Sequence, residues 1–237
     1  MASSSCWVWG IAGSSLAVGA LCALVGCGIP VGQTASSSPR PLSRGPLTEI
    51  SALHATILAT STATVVKLPG TSPDALLGLP VMTVGNDGAE TAWRAYAWFD
   101  LSALPRSARI ESAELILASS NNAGGRAMTS TGHLKALATA WDATTLTWER
   151  QPPTAASADI KIVLHRTQNE DRIDVTPLVS AWVSGELPNF GLRLQTPAGN
   201  SFWKSFIGAT TTDAARGPRL EIRYVASVPA LPADPPL

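Results

Sequence analysis

The stretch Ala92-Trp-Arg-Ala-Tyr-Ala-Trp-Phe99 alternates residue by residue. It sends Trp93, Ala95 and Ala97 to one side and Arg94, Tyr96 and Trp98 to the other. Successive side chains of a β-strand point to opposite faces, so a period of two marks a strand with two unlike faces. The same period, complete or partial, recurs at 62–68, 110–117, 133–137, 159–165, 190–195 and 219–225, with Gly, Pro, Asn and Asp between the runs. Short alternating runs broken by turn residues predict a sandwich or barrel of antiparallel strands. The 19 Gly and 18 Pro spread along 237 residues argue against a helical bundle. One segment has helical spacing: between Val175 and Gly185, Leu178, Val179, Trp182 and Val183 share a face. Asp174 or Thr176 fits its N-cap, Pro177 its first turn and Gly185 its exit. The fold class expected is all-β, with one short helix bridging two strands.

The two ends of the chain read differently. Residues 1–26 carry an uncharged apolar run from Trp7 to Val25 and end in Leu24-Val25-Gly26 before Cys27. This is the pattern of a lipoprotein signal peptide, although no Lys or Arg precedes the apolar run. An uncleaved membrane-spanning helix is the alternative reading. Cys27 is the expected lipidation site, and the acyl chains would hold the mature chain to a membrane. Gly28 is not an inner-membrane retention Asp, so an outer membrane is the expectation where the cell has one. Residues 27–50 are rich in Ser, Pro and Gly and read as a tether. Residues 51–226 form the expected domain, and 227–237 a Pro-rich tail. The three cysteines are Cys6, Cys22 and Cys27, so the domain holds no disulfide and no thiol nucleophile.

Formal net charge is zero, and only 14% of residues are charged. No overall field draws the chain to nucleic acid. His54, His133 and His165 have no neighbour at metal-ligand spacing, and H-E-x-x-H and G-x-S-x-G are both missing. No catalytic residue, metal site or cofactor is expected. For Glu170, Asp171 and Asp174 a turn leading into a helix cap is the first reading and a calcium ion the second. The expectation is a non-enzymatic extracytoplasmic protein.

Four blocks of sequence then resemble one family. They are Arg94–Pro105 with Ala108–Leu117, Ala140–Pro152, Ile173–Gly185 with Pro188–Leu194, and Gly217–Tyr224. In that order they resemble the DNRLRE, or disaggregatase-related, domain, some members of which are classed as family 96 carbohydrate-binding modules. The resemblance implies a jelly-roll-like antiparallel β-sandwich found in secreted bacterial and archaeal proteins, with acidic polysaccharide of the alginate type as a ligand. The chain is thus expected to be a non-catalytic cell-surface module that binds an extracellular polysaccharide. A structural or adhesive envelope protein working through protein contacts is the alternative, and a polysaccharide-active enzyme a third reading.

The candidate ligand contacts are two aromatic–basic neighbours, Trp93-Arg94 and Trp203-Lys204, with Lys135 and Arg193 as further cations. A flat ring beside a cation can stack on a sugar and pair with its carboxylate. The competing reading places the tryptophans in the core. Trp141 and Trp148 bracket a Thr-rich loop and are expected to pack under the sheet edge, with a sugar-stacking platform as the second reading. Asp100 is expected to accept backbone N–H bonds at a corner, with a calcium ligand as its alternative.

Overall fold

The computed structural model describes residues 52–70, 76–77, 81–210 and 213–226. The signal peptide, Cys27, the tether and the Pro-rich tail lie outside the described residues. The strands are β1 (Ala52–Lys67), β2 (Leu76–Leu77), β3 (Val81–Asn86), β4 (Ala92–Phe99), β5 (Arg109–Gly125), β6 (Thr129–Leu137), β7 (Thr154–His165), β8 (Glu170–Asp174), β9 (Leu192–Gln195), β10 (Phe202–Ile207) and β11 (Arg219–Val225). A single α-helix among the described residues, α1 (Thr176–Ser184), separates β8 from β9. Every strand pairing is antiparallel. The expected all-β class with one short helix is what the chain adopts.

Two long strands organise the architecture by serving two sheets each. Ala52–Leu58 of β1 pairs with β11, and after an irregularity at Ala59–Ser61 the rest of β1 pairs with β4. The first part of β5 pairs with β11 and β8, and the stretch from Ser119 to Gly125 pairs with β10. Within β5 the switch falls at Asn121, whose φ of 62° is left-handed. Asn tolerates that conformation better than most residues. The pairings β1–β11–β5–β10–β3–β4–β1 close a six-strand ring, as in a barrel. Outside the ring, β9, β6 and β7 extend the sheet from β4, and β8 extends it from β5.

The interior of the ring and its extensions is mostly apolar. Ala95, Ala97 and Phe99 of β4 meet Leu134, Leu192, Leu194, Phe202, Phe206, Leu115 and Leu220, all fully buried. Each such Leu or Phe contributes about 1.5–3 kcal/mol by leaving water, and no cross-link adds to it. Helix α1 packs into this core with the four residues expected, Leu178, Val179, Trp182 and Val183. Pro177 stands in its first turn, and Gly185 ends it at a left-handed φ of 80°. Asp174 accepts the Thr176 N–H at 2.9 Å, one residue ahead of the formal cap Val175.

The outer face formed by β8, β5, β11 and β1 is a mesh of ion pairs. Arg172 reaches Glu114, Glu170 and Glu221, Arg219 reaches Glu170 and Glu221, and Arg223 and Arg109 share Glu111. The hydrogen bond from Arg223 holds the Glu111 carboxyl below its usual range. The calcium reading fails on this geometry. Glu170 and Asp174 point outward, Asp171 points into the core, and each already has a partner. Neither is the segment a turn: it is strand β8.

Candidate functional site

The opposite outer face, over β1, β4, β9, β6 and β7, has a different chemistry. One cross-strand row runs Ala63, Tyr96, Arg193, Lys135 and Asp159. Beside it lie Arg94 on β4, Gln195 on β9 and His133 on β6, the last two directly opposite each other. Their side chains share a face because Leu192 and Leu194, and Leu134 and Ala136, take the inward positions. Directly opposed residues stand about 5 Å apart at Cβ, so these polar groups form one contiguous patch.

The loop of residues 138–153 roofs part of this patch. Tyr96, Leu137, Leu146 and Val65 form a small second core beneath it, edged by Trp141 and Trp148. Trp141 donates to the Phe190 carbonyl at 2.9 Å and tilts against Tyr96 with ring centres 5.7 Å apart. This is the packing role expected for Trp141. Gln151 fastens the roof: its Oε1 accepts from both Arg94 and Tyr96, each at 2.7 Å. The Arg94 guanidinium lies over the Trp148 ring, 4.4 Å from its centre. Burial pushes the Tyr96 hydroxyl up, so it stays a neutral donor.

Two arginines here have no acid. Among the described residues Arg94 is paired with the neutral Gln151, and neither Arg94 nor Arg193 meets a carboxylate. Burial draws Arg94 below the usual arginine range, and the positive charge of Arg193 lowers it further. The register sets Arg193 diagonally across from Arg94, directly opposite Tyr96. Arg193 Nε and Gln195 Oε1, both on β9, are buried with no hydrogen-bond partner. An unmet buried donor or acceptor costs about 1–3 kcal/mol. Lys135 is different: with His133 it grips Asp159, at 2.9 Å and 2.8 Å. The Lys135 hydrogen bond is the main reason the Asp159 carboxyl sits below its usual range.

Of the six residues singled out in the sequence, Arg94, Arg193 and Lys135 thus meet on one face. Trp93 and Trp203 meet each other elsewhere, their ring centres 6.0 Å apart at an interplanar angle of 46°. Both are half-buried and lie outside the two apolar cores of the described residues. Lys204 joins neither group. Its side chain is 0% exposed and is buried in the core with Phe202 and Phe206. It donates to the carbonyls of His165 and Gln168 and to Asp171 Oδ2, at 2.8, 2.7 and 2.5 Å. Strand alternation separates it from its neighbour Trp203, and no ligand can reach it. Tyr96, Gln151 and Gln195 are the site residues that the sequence reading missed. Gln195 has the same parity as Arg193 and was legible by that rule.

An antiparallel β domain whose one open face combines cations, amides and indole rings has the build of a carbohydrate-binding module. The model of carbohydrate-binding module family 96 matches residues 78–224, more than half of the chain. The chain belongs to that family. Comparison with curated proteins finds no match.

Proposed function

We propose that the chain is a non-catalytic module that binds an acidic polysaccharide across the face of β4, β9 and β6. The observation that carries the reading is the contrast between the two outer faces. Arg109, Arg172, Arg219 and Arg223 on one are all paired with glutamates, while Arg94 and Arg193 on the other have no carboxylate among the described residues. A uronate carboxylate supplies the missing charge, and an arginine fork suits a carboxylate well. Sugar hydroxyls meet Gln195 and the half-exposed rim of Trp148. The jelly-roll topology, and an envelope location with lipid on Cys27 and a tether over 27–50, belong to the same proposal, which would set the face outside the cell.

The test is affinity electrophoresis of the full chain through gels containing alginate, polygalacturonate or a neutral glucan. Retardation by the acidic polymers that fades with added salt is the result expected. Retardation by the neutral polymer alone, or by none, refutes the acidic reading.

Asp159 supplies a finer check. It occupies Lys135 and His133 as a ligand carboxylate would, and all three side chains are about a third exposed or less. Replacing Asp159→Asn frees Lys135 and should tighten binding to the acidic polymer by about 2–5-fold, the scale of an exposed ion pair. Titration calorimetry against the wild-type chain reads the change; weaker binding by the variant would contradict it.

A further inference from the structure

Arg94 has an amide for its partner, where Arg109, Arg172, Arg219 and Arg223 on the opposite face each have a glutamate. Glutamine and glutamate share a shape. A glutamate oxygen could accept from Arg94 and Tyr96 as Gln151 Oε1 does, but it would also cancel the Arg94 charge. We infer that Gln151 is a positioning residue that selects for an anionic ligand: it fixes the Arg94 guanidinium against Trp148 and leaves the positive charge open to that ligand.

The local structure holds Gln151 in place to do this. It ends a turn in which Thr147 Oγ1 accepts the Arg150 N–H at 3.1 Å, and its own Nε2 donates to the Trp148 carbonyl. Pro152 and Pro153 follow, and the Pro153 carbonyl accepts the Ala138 N–H at 2.8 Å, which closes the base of the roof loop. The guanidinium is then set from two sides. Gln151 takes Arg94 Nη1 at 2.7 Å, and the Trp148 ring centre lies 4.4 Å from Arg94 Cζ. A guanidinium carries five N–H donors, so donors remain for a ligand carboxylate. Arg94 and Gln151 are both half-buried, so a charge at position 151 would act on Arg94 through less water than at an open surface. Both ends of the amide are in use. Glutamate in its place would lose only the bond to the Trp148 carbonyl, while methionine, of similar length, would lose all three.

This role rests on the polysaccharide reading. The test is titration calorimetry of the full chain and its Gln151→Glu and Gln151→Met variants with hexamers of galacturonic acid and of mannuronic acid, beside a thermal melt of each protein. A latch with only a structural role makes methionine the worse substitution for stability and for binding alike, because it loses more hydrogen bonds. Charge selection reverses the order for binding alone. Gln151→Glu should weaken binding of an acidic hexamer about tenfold and Gln151→Met about threefold or less, although the methionine variant melts lower. If Gln151→Met weakens binding as much as Gln151→Glu or more, Gln151 is only a latch and the inference is overturned, while the sheet-face reading stands. If the wild type binds neither acidic hexamer, both fall together.

Discussion

Lys204→Met should lower the unfolding free energy by about 3–5 kcal/mol, the usual cost of stranding one partner of a buried ion pair. For a domain of this size that is a fall in melting temperature on the order of 10 °C. Lys204 and Asp171 are 0% and 4% exposed, and they tie β10 to the start of β8 across the core. The lysine also satisfies two carbonyls at the β7–β8 connection. Burial pushes the Asp171 carboxyl up, with the Lys204 hydrogen bond acting downward against it. Without the lysine that upward push is opposed only by the smaller contributions of the His165 backbone hydrogen bond and charge. The folded state then holds a proton that the unfolded state releases, so stability falls as pH rises above the unfolded carboxyl range. Melting of Lys204→Met should thus improve as pH drops from about 7 toward about 5. The double variant with Asp171→Leu should recover much of the loss at pH 7, because no charge is left stranded. Calorimetric melts of the three proteins decide it. A single variant that melts like the wild type would show that the pair bears no weight.

Gly85→Ala is the second large effect. Gly85 has a φ of 133°, and a Cβ there would stand 2.2 Å from the Phe202 carbonyl oxygen and 2.4 Å from Trp203 Cα. Both obstacles are backbone and cannot swing aside, so β3 and β10 would have to part. Strain and overpacking each cost about 1–3 kcal/mol, and together they should lower the melting temperature by roughly 10 °C. Gly199→Ala is the control. Its φ of 81° is also left-handed, but nothing lies within 4 Å of the added atom. It should cost only about 1–2 kcal/mol. Equal shifts for the two variants would contradict the steric argument.

These two positions also show where the sequence could and could not be read. Strands β4 and β11 were located to the residue because hydrophobic and polar side chains alternate cleanly there. Strand β10 carries no alternating run in the sequence because Lys204 takes an inward position between Phe202 and Phe206. A buried lysine breaks the pattern, and only its distant partner Asp171 explains it. Strand β8 was missed for the same reason from the other side: its acids read as a turn. The first half of β1 and the second half of β5 went unread because they are half-exposed edges whose polar residues carry little period.

The site was legible in part. Arg94, Lys135 and Arg193 each stood at the outward position of a clean alternation, and register brought them to one face. Tyr96 and Gln151 were not readable as partners, since 55 residues separate them and a loop closes the gap. Trp203-Lys204 looked like a binding pair because neighbours in sequence were taken together. In a strand, neighbours face apart.

The central claim is that the face of β4, β9 and β6 binds polysaccharide and the ion-paired face of β5 and β11 does not. The most direct measurement compares Arg193→Ala with Arg223→Ala by affinity electrophoresis in the acidic polymer that best retards the wild-type chain. Arg193→Ala should lose at least about tenfold in affinity, equal to about 1.4 kcal/mol, with Arg223→Ala unchanged. Loss of binding in Arg223→Ala with Arg193→Ala unaffected would place the ligand on the other face and contradict the account.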